Sequence, residues 1–202
     1  MRPAAPVAGR REATKQANRQ AILDAAREVF ADLGYGAATV RDVVRRTDLA
    51  TGTFYNYFPD KEAVFRAVVG DTATQIRAAV QTARRGSRTL EDFVAGGYRA
   101  YFEYLVSDPT TFELTRRNSG TLRHLFDQAA LGAGTDELEA DLRDAIAAGF
   151  VPDHDAHLMA AAMVGAGFEI AVRMLETDPP DVDGAVAFAT NLFLGGLERL
   201  HG

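Results

Sequence analysis

An all-α fold in two unequal parts is what this chain predicts, and three observations carry it. Apolar residues recur three and four apart through most of its length, and no stretch shows the alternation of a strand. Helix starts at Thr39, Asp60, Thr89 and Asp108, and stops at Gly34, Pro59, Gly149 and Pro152, fall between those stripes. Charge divides the chain as well: residues 1–61 carry ten Lys or Arg against seven Asp or Glu, and residues 62–202 carry twelve against twenty-one. A small basic part beside a large acidic one suits a molecule that offers one face to an anionic polymer and holds the rest away.

The first 18 residues show no periodicity and hold Arg2, Arg10, Arg11 and Lys15 against Glu12, which reads as a flexible basic arm. It could reach a minor groove or merely solubilise the terminus. From Arg19, the stripe Ile22, Ala26, Val29, Phe30 and Leu33 predicts a first helix that stops at Gly34. Thr39 then caps a short helix with Asp42 three residues on, a capping-box pair, and Val40, Val43 and Val44 face inward. Thr47 to Ala50 form a turn. The next short helix turns Phe54 and Phe58 inward and leaves Thr51, Gly52, Thr53, Tyr55, Asn56 and Tyr57 outside. Pro59 ends it, because the residue before proline is driven from the helical region. Asp60 caps a long amphipathic helix to about Ala83, which connects a head over residues 19–66 to a second domain over 67–202.

Two short helices joined by a four-residue turn make a helix-turn-helix pattern. Thr51 and Gly52 are small enough for close approach to base edges, and Tyr55, Asn56 and Tyr57 can donate to phosphate oxygens. Lys61 stands at a positive helix N-terminus where a phosphate could sit, or is a solvated surface charge. An ordinary helical hairpin with exposed tyrosines has the same pattern. The longer stretch decides more. Thr51 to Ala63, Thr-Gly-Thr-Phe-Tyr-Asn-Tyr-Phe-Pro-Asp-Lys-Glu-Ala, with the preceding Ala26-x-x-x-Phe30-Ala31-x-x-Gly34-Tyr35, resembles the DNA-binding domain of the TetR family of bacterial transcriptional regulators. The resemblance covers about a quarter of the chain, residues 19–66. It implies an all-helical homodimer that binds a palindromic operator in double-stranded DNA and releases it when a small-molecule effector enters the C-terminal domain. It also implies that Arg41 and Thr51 face the major groove and that Tyr55, Asn56, Tyr57 and Lys61 contact the backbone, although Asn56 and Tyr57 vary within the family. Thr39, Gly52 and Thr53 complete the DNA-facing set.

In the second domain, Leu90, Phe93, Val94, Tyr98, Tyr101, Phe102 and Leu105 form the inner face of a helix capped by Thr89. Asp108-Pro109 restarts the chain. A short helix follows to about Arg116–Gly120, another runs from Thr121 to Leu131, and Gly132-Ala133-Gly134 stops that one before Thr135 caps a further segment. The last two helices, near His154–Glu176 and Ala185–Leu200, are apolar on more than one face and must be buried on more than one. Glycine costs about 1 kcal/mol inside a helix, so Gly165 and Gly196, with Phe168 and Leu192, point to a homodimer interface. A dense monomer core is the alternative.

The candidate effector pocket takes Tyr101, Phe112 and Met163 for an apolar body and Arg116 and Arg117 for an anionic end, with Tyr98, Phe102, Phe126 and Phe168 nearby. The same residues describe a plain core with a polar rim. Phe112 to Gly120 is similar to a stretch in regulators of unsaturated fatty-acid synthesis that sense acyl-coenzyme A, which implies a fatty acyl-coenzyme A effector. His154 and His157, beside Asp153 and Asp155, have metal-site spacing but no second ligand pair. No Walker loop, Gly-x-Ser-x-Gly elbow or dinucleotide fingerprint occurs, so neither an enzyme nor a cofactor is expected. There is no cysteine, hence no disulfide framework. No apolar run is read as membrane-spanning and no signal-peptide core is seen, so the expected place is the cytoplasm, away from any membrane. The function predicted is a ligand-responsive repressor. The alternatives are a DNA-binding regulator without a small-molecule ligand and a metal-dependent helical-bundle enzyme.

Overall fold

The structure, a computed structural model, describes residues 7–125 and 129–199, with the side chains of 7–10, 125, 129–133 and 198 left aside. Those residues form α1 (Val7–Ala37), α2 (Val40–Arg45), α3 (Thr51–Tyr55), α4 (Lys61–Arg84), α5 (Leu90–Ser107), α6 (Pro109–Leu125), α7 (Ala129–Ala147), α8 (Ala156–Met174) and α9 (Val182–Glu198). No strand occurs among the described residues.

The starts follow the expected chemistry. Thr39, Asp60, Thr89, Asp155 and Asp181 each accept a backbone N–H in the first turn of the following helix. Asp108 does the same for Thr111, at 2.7 Å, ahead of Pro109. Three boundaries differ. The arm expected over residues 1–18 is helical from Val7 onward, and residues 1–6 lie outside the described part. Residues 11–17 are exposed all round, so they need no apolar stripe, and extending a formed helix adds one hydrogen bond per residue fixed. The two short helices expected over 109–131 are one helix as far as Leu125, and Gly120 passes through its exposed face. Gly132 and Gly134 sit inside α7 rather than stopping a helix. A mid-helix glycine costs about 1 kcal/mol, too little to break a helix whose inner face is packed. Phe126, expected in the pocket, lies outside the described residues.

Two apolar cores result. The first joins α1 to α4 around Ile22, Val29, Phe30, Val43, Phe54, Val64, Phe65 and Val68, and takes in Leu114 and Leu122 of α6 and Phe168 and Val172 of α8. The second joins α5, α7, α8 and α9 around Phe102, Leu105, Leu138, Leu142, Ala160, Met163, Met174 and Phe193. By length and composition alone, the 19-residue α8 could cross a membrane, which corrects the expectation that no run reaches that length. One side of it is buried in these two cores.

Gly34 is where the head meets the second domain. Its φ of 74° and ψ of 157° break α1, a conformation that glycine adopts without the Cβ clash. The break swings the Tyr35 N–H off the helix, and Asn118 Oδ1 on α6 accepts it at 2.6 Å. Asn118 Nδ2 donates to Phe30 O on α1 at 3.0 Å and to Leu114 O on its own helix at 2.7 Å. Asn118 is 2% exposed, so its carboxamide has no water as a substitute. Leaving a buried polar group unpaired costs about 1–3 kcal/mol. Asn118→Ala should therefore lower unfolding stability by roughly 2–4 kcal/mol, read as a fall in the urea midpoint, while Arg116→Ala on the exposed face of the same helix stays within about 0.5 kcal/mol of the parent.

Candidate functional site

The outer surface of the head is assembled from α2 and α3. Asp42 donates its N–H to Thr39 Oγ1 at 3.2 Å and accepts the Thr39 N–H on Oδ2 at 3.0 Å, completing the capping box. The Thr39 hydroxyl also holds the Asp42 carboxyl below its usual range. α2 is tied to α1 by Arg46, which donates to Asp32 at 2.6 Å and to Glu28 at 3.3 Å. Phe54 and Phe58 are buried beneath α3. Above them Thr51, Gly52, Tyr55 and Asn56 are exposed, and Thr53 and Tyr57 are half-buried. A Cβ at Gly52 would meet nothing within 4 Å, so its smallness serves no packing need inside the protomer. Arg41 is exposed on α2. Arg45, one turn on and also exposed, joins the same face; the i, i+4 spacing from Arg41 was the signal for it.

Lys61 is held inside the head. Its Nζ donates to Tyr35 O at 2.7 Å and Ala38 O at 3.0 Å and lies 4.4 Å from the centre of the Tyr35 ring. These carbonyls lie past the break in α1, where a cation is favoured. Two of the three ammonium hydrogens are used there, which leaves one for an outside oxygen.

A cavity of about 200 Å3 lies between α4, α5, α6, α7 and α8. Its walls are mostly apolar: Val69, Ile76 and Val80 from α4, Tyr101 from α5, Leu114 from α6, and Met163 and Phe168 from α8. Burial pushes the Tyr101 phenol up. Tyr98 donates its hydroxyl to Met163 O at 2.9 Å, packing α5 on α8. Its ring also requires Gly167, where a Cβ would come within 2.9 Å of it.

Of the five residues expected in the pocket, Tyr101 and Met163 line it. Phe112 is half-buried against the second core and does not. Arg116 and Arg117 do not either: both turn outward and pair with Glu113, at 2.7 and 2.9 Å. Helical rotation explains this, since Leu114, Asn118 and Leu122 define the inner face of α6 and positions 113, 116 and 117 fall beside or opposite it. The cations that do line the cavity are Arg77 and Arg84 of α4. They stand four residues after Ala73 and Val80, so the stripe of α4 itself was the missed signal.

Among the residues expected at an interface between copies, Gly165 and Gly196 are exposed, and Leu192 is 50% exposed. Phe168 is 6% exposed, packed in the first core of its own protomer, which removes it from that set. His154 Nδ1 lies 2.7 Å from Pro152 O, and His157 Nδ1 2.9 Å from Glu139 Oε2. No group of three metal-binding side chains occurs among the described residues.

Comparison with known proteins places this geometry. Residues 22–68 match the family model of bacterial regulatory proteins of the tetR family. Residues 22–68 thus form a TetR-family head. Among its relatives, an HTH-type transcriptional repressor of Mycobacterium tuberculosis is 33% identical over 101 residues, 50% of this chain and 51% of that protein. This chain thus spans about half the length of that relative. The HTH-type transcriptional activator FasR of Mycolicibacterium smegmatis is 24% identical over 184 residues, covering 90% of this chain and 84% of that one. The fold matches the structure of the regulator FadR of Bacillus subtilis in complex with stearoyl-CoA, with a TM-score of 0.74 at 23% identity, covering 88% of this chain and 98% of that one. In this TetR-family head, α2 and α3 are the helix-turn-helix and α4 is the link to the cavity.

Lys61 gives this TetR head a stability test. Charge-assisted hydrogen bonds are worth about 1.5–3 kcal/mol, and partial exposure reduces that, so Lys61→Ala should destabilise by about 1–2 kcal/mol. The measure is urea unfolding. A change below about 0.5 kcal/mol would make Lys61 a solvated charge.

Proposed function

We propose that the chain is a ligand-responsive transcriptional regulator, acting as a repressor, that binds a palindromic operator as a homodimer. The observation that carries the reading is the exposed set on α2 and α3: Arg41, Thr51, Gly52, Tyr55 and Asn56 stand together above a packed floor of Phe54 and Phe58. Short side chains allow close approach, arginine can read guanine, and tyrosine and asparagine can hold phosphates. The TetR-family match of the head and the repressor among the relatives support it.

The homodimer has its own support. Leu158 on α8 and Phe188 and Leu192 on α9 are 64%, 61% and 50% exposed. Gly165, Gly195 and Gly196 lie on these two helices, and a Cβ at any of them would meet nothing within 4 Å. Helical glycines unexplained inside the protomer, beside exposed large apolar side chains, suit a surface that another copy covers. Two heads related by a two-fold axis then read two half-sites one helical turn apart.

The effector reading rests on the cavity under α4. The stearoyl-CoA bound by the Bacillus FadR supports an acyl-type effector, and the alkyl-friendly lining fits one. An effector shifts the heads only by binding one state better than the other.

DNA selected from a random pool by the intact protein tests the reading. It should recover a palindrome. An arginine bidentate to guanine contributes about 1–3 kcal/mol of discrimination, so Arg41→Ala should weaken binding to the selected site by about 5- to 150-fold and leave random DNA nearly unaffected. Equal loss on both would make Arg41 a phosphate contact, and failure to select any sequence would remove the operator reading. Gly196→Glu should give a monomer in sedimentation that keeps its helical circular dichroism and loses tight operator binding. An intact dimer would exclude this face.

A further inference from the structure

The polar end of the cavity is built around one buried arginine. Arg84 lies in the last turn of α4 with its side chain 16% exposed, and burial pushes its guanidinium below the ordinary arginine range. Its compensation is poor. The facing carboxylate, Asp141 Oδ2 on α7, stands 3.7 Å from Nη1, beyond hydrogen-bond reach. Nε has no hydrogen-bond partner among the described residues. One face of the guanidinium rests on the Phe93 ring, 4.8 Å from its centre. Gly97 lets the guanidinium lie close against α5, since a Cβ there would come within 2.8 Å of Nε. Asp141 is itself held above the usual carboxylate range, first by burial. Asp141 keeps much of its water, with its side chain 46% exposed, so Arg84 is the charge left poorly compensated. A carboxylate meeting the guanidinium side-on would give it two parallel hydrogen bonds.

We propose that this cavity is a carboxylate site, in which a compact apolar acid lays its chain against Tyr101, Met163 and Phe168 and sets its carboxylate on Arg84 in place of Asp141. The inference rests on the reading that the cavity takes the effector, and it names the effector's chemistry. An alkyl chain is what the mostly apolar lining takes, and octanoate is a simple soluble probe of it. The site also reaches the head. Arg84–Asp141 and Arg77–Glu137, the latter at 3.5 Å, are the ion pairs between α4 and α7 among the described residues. Displacing Asp141 frees α7 from the far end of the helix that Asp60 and Lys61 anchor beside α3.

Calorimetric titration of the full chain with octanoate, octanamide and octanoyl-coenzyme A tests it. Octanoate should bind at least about tenfold tighter than octanamide. In Arg84→Met that preference should vanish while octanamide binds as before, which also shows that the fold is intact. Asp141→Asn, which removes the competing carboxylate, should tighten octanoate. Equal binding of acid and amide to the parent protein would overturn the proposal, as would a preference that survives in Arg84→Met. Tighter binding of octanoyl-coenzyme A than of octanoate would also overturn it, yet leave the cavity as an effector site. Binding of none of the three would remove the carboxylate site, while the selected operator would still decide the DNA reading by itself.

Discussion

One buried carboxamide fixes how the two parts of this molecule meet. Gly34 ends the regular part of α1, and the exposed peptide groups on either side of that break cannot stay unpaired in an apolar core. Asn118 accepts the displaced Tyr35 N–H, donates to Phe30 O from α6 and is itself held to Leu114 O. A small apolar side chain at 118 could fill the volume but not the hydrogen bonds. The head is therefore docked by a polar fit inside an apolar contact, and the first core continues through it into Leu114, Leu122 and Phe168.

That fit puts the cavity in mechanical contact with the outer surface of α2 and α3. α4 forms one wall of the cavity and starts beside α3, where Asp60 caps it and Lys61 grips the end of α1. α6 contributes Leu114 and Leu122 to the cavity and Asn118 to the break. A ligand that moves either helix acts on the head through groups that have few alternative partners. Rigid elements joined by satisfied buried hydrogen bonds transmit small shifts because interiors are densely packed.

The charges are arranged by position more than by total. Arginines at the surface are mostly paired locally: Arg46 with Glu28 and Asp32, Arg116 and Arg117 with Glu113, Arg123 with Glu169 in two bonds of 2.5 and 2.8 Å. Exposed pairs of this kind are screened by water and contribute little stability, so their effect is to fix orientation and quench surplus charge. Arg41 and Arg45 differ. Among the described residues, Arg45 meets a carboxylate only at 4.0 Å, Asp42 Oδ1, beyond hydrogen-bond reach, and Arg41 makes no ion pair.

Much of this was legible in the chain. The helix starts at Thr39, Asp60, Thr89 and Asp108, the turn of Thr47–Ala50 and the inward Phe54 and Phe58 are local effects, set by capping hydrogen bonds, proline sterics and the 3.6-residue period. The sequence alone therefore determined the head and its outward residues. Tertiary structure decided what depends on phase and neighbours. Gly120, Gly132 and Gly134 did not break helices, because packing of the other face outweighs about 1 kcal/mol of propensity. Once α6 is continuous, its rotation sends Arg116 and Arg117 outward and Asn118 inward, and no local rule fixes that angle. Phe168 turned into its own protomer for the same reason, while Gly165 and Gly196 stayed outside. Arg84 stands just past the helix end expected at about Ala83; only the approach of α5 and α7 makes it a largely buried cation at the end of a cavity.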